Sequence, residues 1–277
     1  MERIKLVATD LDGTFLRDDH SISPRNLEAL HRLGERNIVR VAATGRNLKK
    51  VREVINEHVP FDFVVFSSGA GVFNWRNNEH VFMQNIAKES ATNLMQYFIQ
   101  QGLNFHAFYP IPENHKHYFF RGNEACEEFE RYFNFNRAHS AEIDRDSVPE
   151  SELCQFLLII RENTTEFLQI KEQIETMCPE TRVIRTSSPI TNGYIWIEIF
   201  HKSVSKGNGV NEICKRIGIS KEETLGLGND YNDFDLLEFT ALSFLTGNAP
   251  DEIKTRFPLL PTNENDAFAF SVDHLIR

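Results

Sequence analysis

Two aspartates, Asp10 and Asp12, stand one residue apart between a short apolar run and Gly13. The run over residues 4–8 predicts a buried strand, and the glycine predicts a turn at its end. Ligands of an open parallel sheet bind beyond the carboxyl ends of its strands, so chemistry is expected here. Burial and like charge separate the pKa values of neighbouring carboxyls, so that one can stay ionised as a nucleophile while the other carries a proton. The alternative for this pair alone is an ordinary Asp-Gly turn with a solvated carboxylate.

Composition narrows the class of protein. The 277 residues are 41% hydrophobic and 25% charged, which is typical of a globular protein with one large or two smaller domains. A formal net charge of −10 argues against general binding to nucleic acid or to an anionic membrane surface. The four cysteines are widely spaced, and the sequence shows neither a signal-peptide layout nor an apolar run of membrane-spanning length. We therefore expect a cytoplasmic protein that binds neither nucleic acid nor membrane.

Strand and helix patterns alternate at both ends of the chain and change in the middle. The first part predicts strands over 38–43 and 61–66, with helices over 24–33 and 47–57. The last part predicts, in order, helix 206–217, strand 224–227, helix 232–239, strand 242–245, helix 250–256 and a helix near 265–276. Residues 85–200 combine helices with short, antiparallel-looking aromatic strands. The pattern predicts an α/β fold in which residues 1–84 and 201–277 form a doubly wound parallel sheet, interrupted by an inserted α+β domain.

Four of the predicted strand and helix ends carry polar residues: Asp10/Asp12, Thr44, Lys206, and the segment 228–233, Gly-Asn-Asp-Tyr-Asn-Asp. Taken in order, these motifs resemble those of the haloacid dehalogenase-like (HAD) hydrolases, and the resemblance spans essentially the whole chain. Further segments are similar to the Cof-type sugar-phosphatase branch, subfamily IIB: 205–207, Ser-Lys-Gly; 247–249, Gly-Asn-Ala; and 262–266, Thr-Asn-Glu-Asn-Asp. The resemblance implies a Rossmann-like catalytic core and an inserted cap, residues 85–200, that sets specificity. It also implies a Mg²⁺-dependent phosphatase of small phosphorylated metabolites such as sugar phosphates.

Phosphoryl transfer needs a nucleophile, charge neutralisation and an acid/base. Asp10 is the predicted nucleophile, which forms an aspartyl-phosphate, and Asp12 is the acid that protonates the leaving oxygen and then activates water. Lys206, at a helix start that favours anions, is predicted to pair with Asp10 and the phosphoryl group, although a solvated lysine is the common alternative. The predicted substrate- or phosphate-binding residues are Thr44, Gly45, Arg46, Asn232 and, in a polar loop of the cap, Asn192.

The resemblance also implies a magnesium site formed by Asp10, the backbone carbonyl of Asp12 and the loop after Gly228. Mg²⁺ prefers hard oxygen ligands, and Asn229 stands where the family has a metal-binding aspartate. An amide oxygen binds Mg²⁺ without contributing charge. We expect Asn229 as the ligand and include Asp233 in the site; a shifted loop in which Asp230 replaces Asn229 is the alternative.

Other functions are compatible with parts of the sequence. Asp12 favours phosphate chemistry over carbon–halogen cleavage, because a halide leaving group needs no proton. A phosphomutase of the same superfamily would use the same residues, and a non-catalytic phosphometabolite-binding protein would tolerate Asn229. A dinucleotide-binding oxidoreductase is disfavoured, since no G-x-G-x-x-G follows the first strand. His115 and His117 have a spacing that could bind metal, but without nearby acidic or cysteine partners we expect both to be solvated.

Overall fold

The computed structural model describes residues 4–276, which divide into two compact units. The first unit comprises the residues up to Met83 and those from Ser205 onward; the second runs from Gln84 to Val204. Residues 1–3 and 277 of the predicted core lie outside the described residues. The strands of the described chain are β1 Leu6–Thr9, β2 Val39–Ala43, β3 Phe63–Phe66, β4 Gly71–Asn74, β5 Glu79–Met83, β6 Phe105–Phe108, β7 His117–Phe120, β8 Ser140–Glu142, β9 Gln155–Arg161, β10 Thr181–Ser187, β11 Tyr194–His201, β12 Thr224–Gly228 and β13 Leu242–Leu245. Its α-helices are α1 Pro24–Glu35, α2 Leu48–Val54, α3 Lys88–Gln101, α4 Glu127–Asn136, α5 Thr164–Met177, α6 Lys206–Ile217, α7 Phe234–Phe239 and α8 Ala267–Leu275.

The first unit is built on a seven-stranded sheet in the order β13-β12-β1-β2-β3-β4-β5. The strands from β13 to β3 are parallel, and β1 lies between β12 and β2, where Ala8 pairs with both Gly226 and Val41. Apart from β13, these strands are buried along most of their length, which explains their continuous apolar runs. Helix α6 packs Val210 and Ile213 against residues of β1, β2 and β3. The predicted α/β class is confirmed, and the parallel strands place their carboxyl ends along one edge.

Two parts of the first unit differ from the sequence-based prediction. Strands β4 and β5 form an antiparallel hairpin that extends the sheet beyond β3. The helix predicted over 250–256 is wrong: this segment is a run of turns with hydrogen bonds between residues three apart, such as Ile253 to Pro250. The chain must return to pair Pro258 and Leu260 with Leu245 of β13 almost at once, which leaves no room for a regular helix.

The second unit is a six-stranded sheet in the order β10-β11-β9-β6-β7-β8, antiparallel except for the β7–β8 pair. Helices α3 and α5 pack on one face and bury apolar side chains such as Phe98 and Phe167 against it. Because successive strand residues point to opposite faces, His106 lies on the other face, where it stacks on Phe129 of α4. His117 is buried as well, so the expectation that it is solvated is wrong.

Among helices of residues 4–276, none combines the length and the apolar composition needed to cross a membrane. All four cysteines are free thiols.

Candidate active site

The carboxyl ends of three adjacent parallel strands carry the predicted polar residues. Asp10 follows β1, Thr44 follows β2 and Asn229 follows β12. The backbone N–H of Asp10 donates to the carbonyl of Leu227 in β12 at 2.9 Å. The hydrogen-bond ladder between β1 and β12 therefore continues as far as Asp10. The three residues therefore lie at one edge of the sheet, as the predicted topology required.

Lys206 is the centre of a buried ionic cluster. Ser205 caps α6 by accepting from the Asn208 N–H at 3.0 Å, and this cap places Lys206 at the first helical position. Its Nζ donates to Asp10 Oδ1 at 2.7 Å and to Asp233 Oδ1 at 2.6 Å. All three side chains are buried. One ammonium faces two carboxylates, so the cluster carries excess negative charge when both acids are ionised.

Burial raises the pKa of Asp10 to about 8, and the negative charges of Asp233 and Asp12 act in the same direction against the opposing charge of Lys206. Burial alone would lower the pKa of Lys206, but the charges of Asp10 and Asp233 outweigh it and raise that pKa instead. The lysine is therefore charged at neutral pH. Additional positive charge beside Asp10 would favour its ionised, nucleophilic form.

Both oxygens of Asp233 are occupied by the protein. Oδ1 accepts from Lys206, and Oδ2 accepts from the backbone N–H groups of Asn229 at 2.8 Å and Asp230 at 3.0 Å. The Asp230 side chain in turn accepts from the backbone N–H of Asp233, which makes a reciprocal capping box. Asp233 thus shapes the loop after β12, and Asp230 is engaged in the same turn.

Asn229 is the loop residue whose side chain reaches the two aspartates. One atom of its amide lies 3.1 Å from Thr14 Oγ1, 3.2 Å from Asp10 Oδ2 and 3.0 Å from the Asp12 carbonyl oxygen. Adjacent ligands of an octahedral Mg²⁺, bound at about 2.1 Å, lie about 3 Å apart. With the amide oxygen in this position, the spacing of Asn229, Asp10 and the Asp12 carbonyl fits such an ion.

Asp12 is more exposed than Asp10 and has a different partner. Its two carboxylate oxygens accept from Nε and a terminal nitrogen of Arg46, both at 2.7 Å. His20 Nδ1 lies 3.4 Å from Asp12 Oδ1. A guanidinium fork matches a carboxylate in this bidentate way and fixes its orientation. Arg46, which we predicted to bind substrate, therefore forms an ion pair with Asp12.

Thr44 and Gly45 lie beside a strained turn that the sequence did not reveal. Thr44 is buried, and its Oγ1 accepts from the Arg46 N–H at 3.1 Å. A side chain at Gly45 would stand 3.6 Å from Ser68 Oγ and 3.7 Å from the amide nitrogen of Asn232, which brings these polar groups to one place. Ser67 and Ser68 both have positive φ, at 47° and 54°, a conformation that such residues adopt at a cost. Ser68 thus lies beside the predicted site residue Gly45, although it is not itself among the predicted site residues.

The turn after Asp12 is held by the late motifs of the chain. Thr246 Oγ1 and Asn248 Nδ2 both donate to the carbonyl of Gly13, at 3.2 and 2.9 Å. Asn263 Nδ2 donates to the carbonyl of Leu16 at 3.1 Å. The segments around 247–249 and 262–266 therefore fix the loop that carries the aspartates.

Asn192, the predicted contact from the cap, belongs to the second unit. It is exposed in a loop between β10 and β11. This loop is tied to α4, because the Ser188 hydroxyl donates to Glu128 and an Arg131 nitrogen donates to Thr191 Oγ1 at 3.0 Å. The other predicted site residues all lie in the first unit.

A family model described as haloacid dehalogenase-like hydrolase matches residues 7–270. The match covers nearly the whole chain, so the protein belongs to the haloacid dehalogenase-like hydrolases. The family prediction made from the ordered motifs is confirmed.

Particular relatives agree with this assignment. The chain is 26% identical over 255 residues to the putative phosphatase YxeH of Bacillus subtilis, covering 90% of this chain and 89% of the relative. It is 25% identical over 256 residues to an HMP-PP phosphatase of Klebsiella pneumoniae, covering 92% and 89%. The solved structure of BT4131, described as an HAD subclass IIB sugar phosphatase, shares the fold with a TM-score of 0.76 at 19% identity, covering 98% of each chain.

Proposed function

We propose that this protein is a Mg²⁺-dependent phosphatase of small phosphorylated metabolites, with sugar phosphates or related monoesters as substrates. The observation that carries the proposal is the contrast between its two strand-end acids. Asp10 is buried beside Lys206, whereas Asp12 is 39% exposed and held by Arg46. We assign the nucleophile to Asp10 and the acid/base to Asp12, which is the division that phosphate-ester hydrolysis needs.

In the proposed reaction an oxygen of Asp10 attacks phosphorus while the ester oxygen leaves with a proton from Asp12. Asp12 then takes a proton from water, which attacks the aspartyl-phosphate and releases inorganic phosphate, and Asp10 returns as a carboxylate. Lys206, which donates to Asp10, and Thr44, at the end of the neighbouring strand β2, would hold the phosphoryl oxygens, together with Gly45 and Asn232. Arg46 orients Asp12, through both hydrogen bonds when Asp12 is a carboxylate and through one when it carries the proton, so we assign Arg46 a positioning role.

The residues that would hold Mg²⁺ are Asp10, the carbonyl of Asp12 and the amide oxygen of Asn229. The ion would neutralise phosphate charge and favour ionised Asp10. Asp233 supports the loop through its hydrogen bonds, and the engagement of Asp230 in the capping box favours Asn229 as the ligand.

We assign substrate choice to the cap, residues 85–200, because the core residues above address the phosphoryl group and the ion. The loop that contains Asn192 is the candidate contact. The free cysteines and the absence of a membrane-length helix in residues 4–276 support a cytoplasmic location, and the net charge of −10 supports a protein without nucleic-acid or membrane partners.

A panel of phosphate esters with and without Mg²⁺ tests the proposal through released inorganic phosphate. We expect Mg²⁺-dependent release from one or more sugar phosphates, and none from the Asp10→Asn variant, whose fold circular dichroism should show intact. Transfer of the phosphoryl group to a second sugar hydroxyl without release would instead identify a phosphomutase. No turnover of any ester would contradict the proposal.

A further inference from the structure

The Asn229 amide has acceptors on one side and donors on the other. The side-chain amide has two terminal atoms, an oxygen and a nitrogen. The terminal atom near the aspartates faces the Asp10 Oδ2 and Asp12 carbonyl oxygens, while the other terminal atom faces only hydrogen-bond donors. The two positions are exchanged by a 180° rotation of the amide. The surroundings of Asn229 therefore distinguish its oxygen from its nitrogen.

Without a cation, the nitrogen belongs beside the aspartates. There it donates to Asp10 Oδ2 at 3.2 Å and to the Asp12 carbonyl at 3.0 Å, with Thr14 Oγ1 at 3.1 Å. With the oxygen in that position it could accept from Thr14 Oγ1 at 3.1 Å, but it would face the Asp12 carbonyl and an ionised Asp10 without a proton or a cation between them. Unpaired buried acceptors of this kind cost about 1–3 kcal/mol each.

A cation reverses this preference, because it needs the amide oxygen and repels the N–H dipole. We propose that Asn229 is a positioning residue that fastens the metal-free site through its amide nitrogen and must rotate by 180° to admit Mg²⁺. The neutral amide takes the place of the ion between Asp10 and the Asp12 carbonyl. This inference rests on the proposed Mg²⁺ function.

The consequence is opposite for an aspartate at the same position. A carboxylate has no N–H, so Asp10 and the Asp12 carbonyl would lose their donor, and an ionised Asp10 would meet a second negative charge. The metal-free protein should then be less stable, and Mg²⁺ should bind more tightly and stabilise it more.

The test compares wild type, Asn229→Asp and Asn229→Ala by melting temperature in EDTA and across a Mg²⁺ series. Asn93→Asp, on the exposed surface of α3, adds the same charge elsewhere as a control. In EDTA we expect Asn229→Asp to melt about 3 °C or more below wild type and below the control. Calorimetry should show Mg²⁺ binding to Asn229→Asp about tenfold or more tighter than to wild type, while Asn229→Ala binds more weakly. In wild type, Mg²⁺ should shift the Asn229 side-chain amide resonance, assigned by its loss in Asn229→Ala.

Equal melting temperatures of Asn229→Asp and wild type in EDTA, or equal Mg²⁺ affinities, would overturn the inference. An Asn229 amide resonance that Mg²⁺ leaves unmoved would also overturn it. Phosphate release by wild type, measured in parallel, separates the two proposals. If wild type releases phosphate but Asn229 fails these tests, only the inference about Asn229 is wrong. If wild type releases phosphate from no ester, the proposed phosphatase function is wrong.

Discussion

The first unit buries Asp10, Asp233 and Lys206 together, whereas the second buries His106 and His117. In the first cluster each charged group has a partner of opposite charge within 2.7 Å. In the second, the two imidazole centroids are 4.9 Å apart, and neither nitrogen of either ring has a hydrogen-bond partner. Phe129 and Tyr132 of α4 line the histidines.

The comparison shows two ways to bury a titratable group. In the second unit, burial lowers the pKa of His117 to about 4 and that of His106 well below its usual value, so both rings are neutral at neutral pH. In the first unit Lys206 stays charged because two carboxylates surround it. Charge is kept in the cluster that we propose for phosphoryl chemistry, and it is avoided where the buried side chains supply only volume and stacking.

Replacement of Lys206 should have the largest effect, because it removes the cation that distinguishes the first cluster from the second. Lys206→Met leaves Asp10 and Asp233 buried without a cation, which should cost about 3–5 kcal/mol of unfolding free energy and abolish phosphate release. Urea denaturation measures the loss. Lys215→Met, at an exposed position of the same helix, serves as the control and should be near neutral. A loss below about 1 kcal/mol for Lys206→Met would mean that the cluster is not held by its charges.

Asp12→Asn should separate the roles of the two strand-end acids. The variant cannot protonate a leaving alkoxide, so we expect a loss of about 10²-fold or more on sugar phosphates. The loss should be much smaller on p-nitrophenyl phosphate, whose leaving group hardly needs a proton. Single-turnover rates that isolate leaving-group expulsion provide the measurement. Equal losses on both substrates would contradict an acid/base role.

The buried histidines predict that acid destabilises the second unit. Between pH 6.5 and about 4, the unfolded chain binds a proton at His117 that the folded protein excludes. The contribution of the neutral, buried histidines to the unfolding free energy is therefore fully present above pH 6.5. It falls as the pH drops through this window, by up to about 3 kcal/mol for His117. Denaturation of His117→Phe across this range should show a flatter pH dependence than wild type. His58→Gln, at an exposed position, is the control, and equal slopes in His117→Phe and wild type would reject the explanation.

The smallest effect is expected in the exposed loop of the second unit. Asn192→Ala should change the ranking of phosphate esters by kcat/KM a few-fold while leaving p-nitrophenyl phosphate unchanged, because it does not alter the residues around Asp10. Asn134→Ala, exposed on α4, is the matched control. An unchanged ranking across substitutions of loop residues 187–192 would place specificity elsewhere.

Much of the fold could be predicted from local pattern. Helix α6 over residues 206–217 and strand β13 over 242–245 have the predicted bounds, because caps and apolar periodicity are local properties. The hairpin β4–β5 escaped prediction, since β5 is mostly exposed and carries little apolar pattern. Residues 250–256 suit a helix locally, but they form turns because the return of the chain to β13 is a long-range constraint.

The candidate site shows the same limit. Asp10 and Lys206 could be placed together because a strand end and a helix start have known positions in this topology. The pairing of Arg46 with Asp12 and the positive φ of Ser67 and Ser68 depend on side-chain and turn geometry that no local pattern encodes. The burial of His117 depends on α4 covering one face of the second sheet.

The central claim is that Asp10 becomes phosphorylated during turnover. Borohydride reduces an aspartyl-phosphate to homoserine, so quenching the enzyme with borohydride during turnover of a good substrate with Mg²⁺ should mark the attacked residue. Mass spectrometry of the peptide containing residues 10–12 should then show homoserine at Asp10, only when substrate is present. Homoserine at Asp12, or no reduced residue while phosphate is being released, would contradict the assignment of Asp10 as the nucleophile.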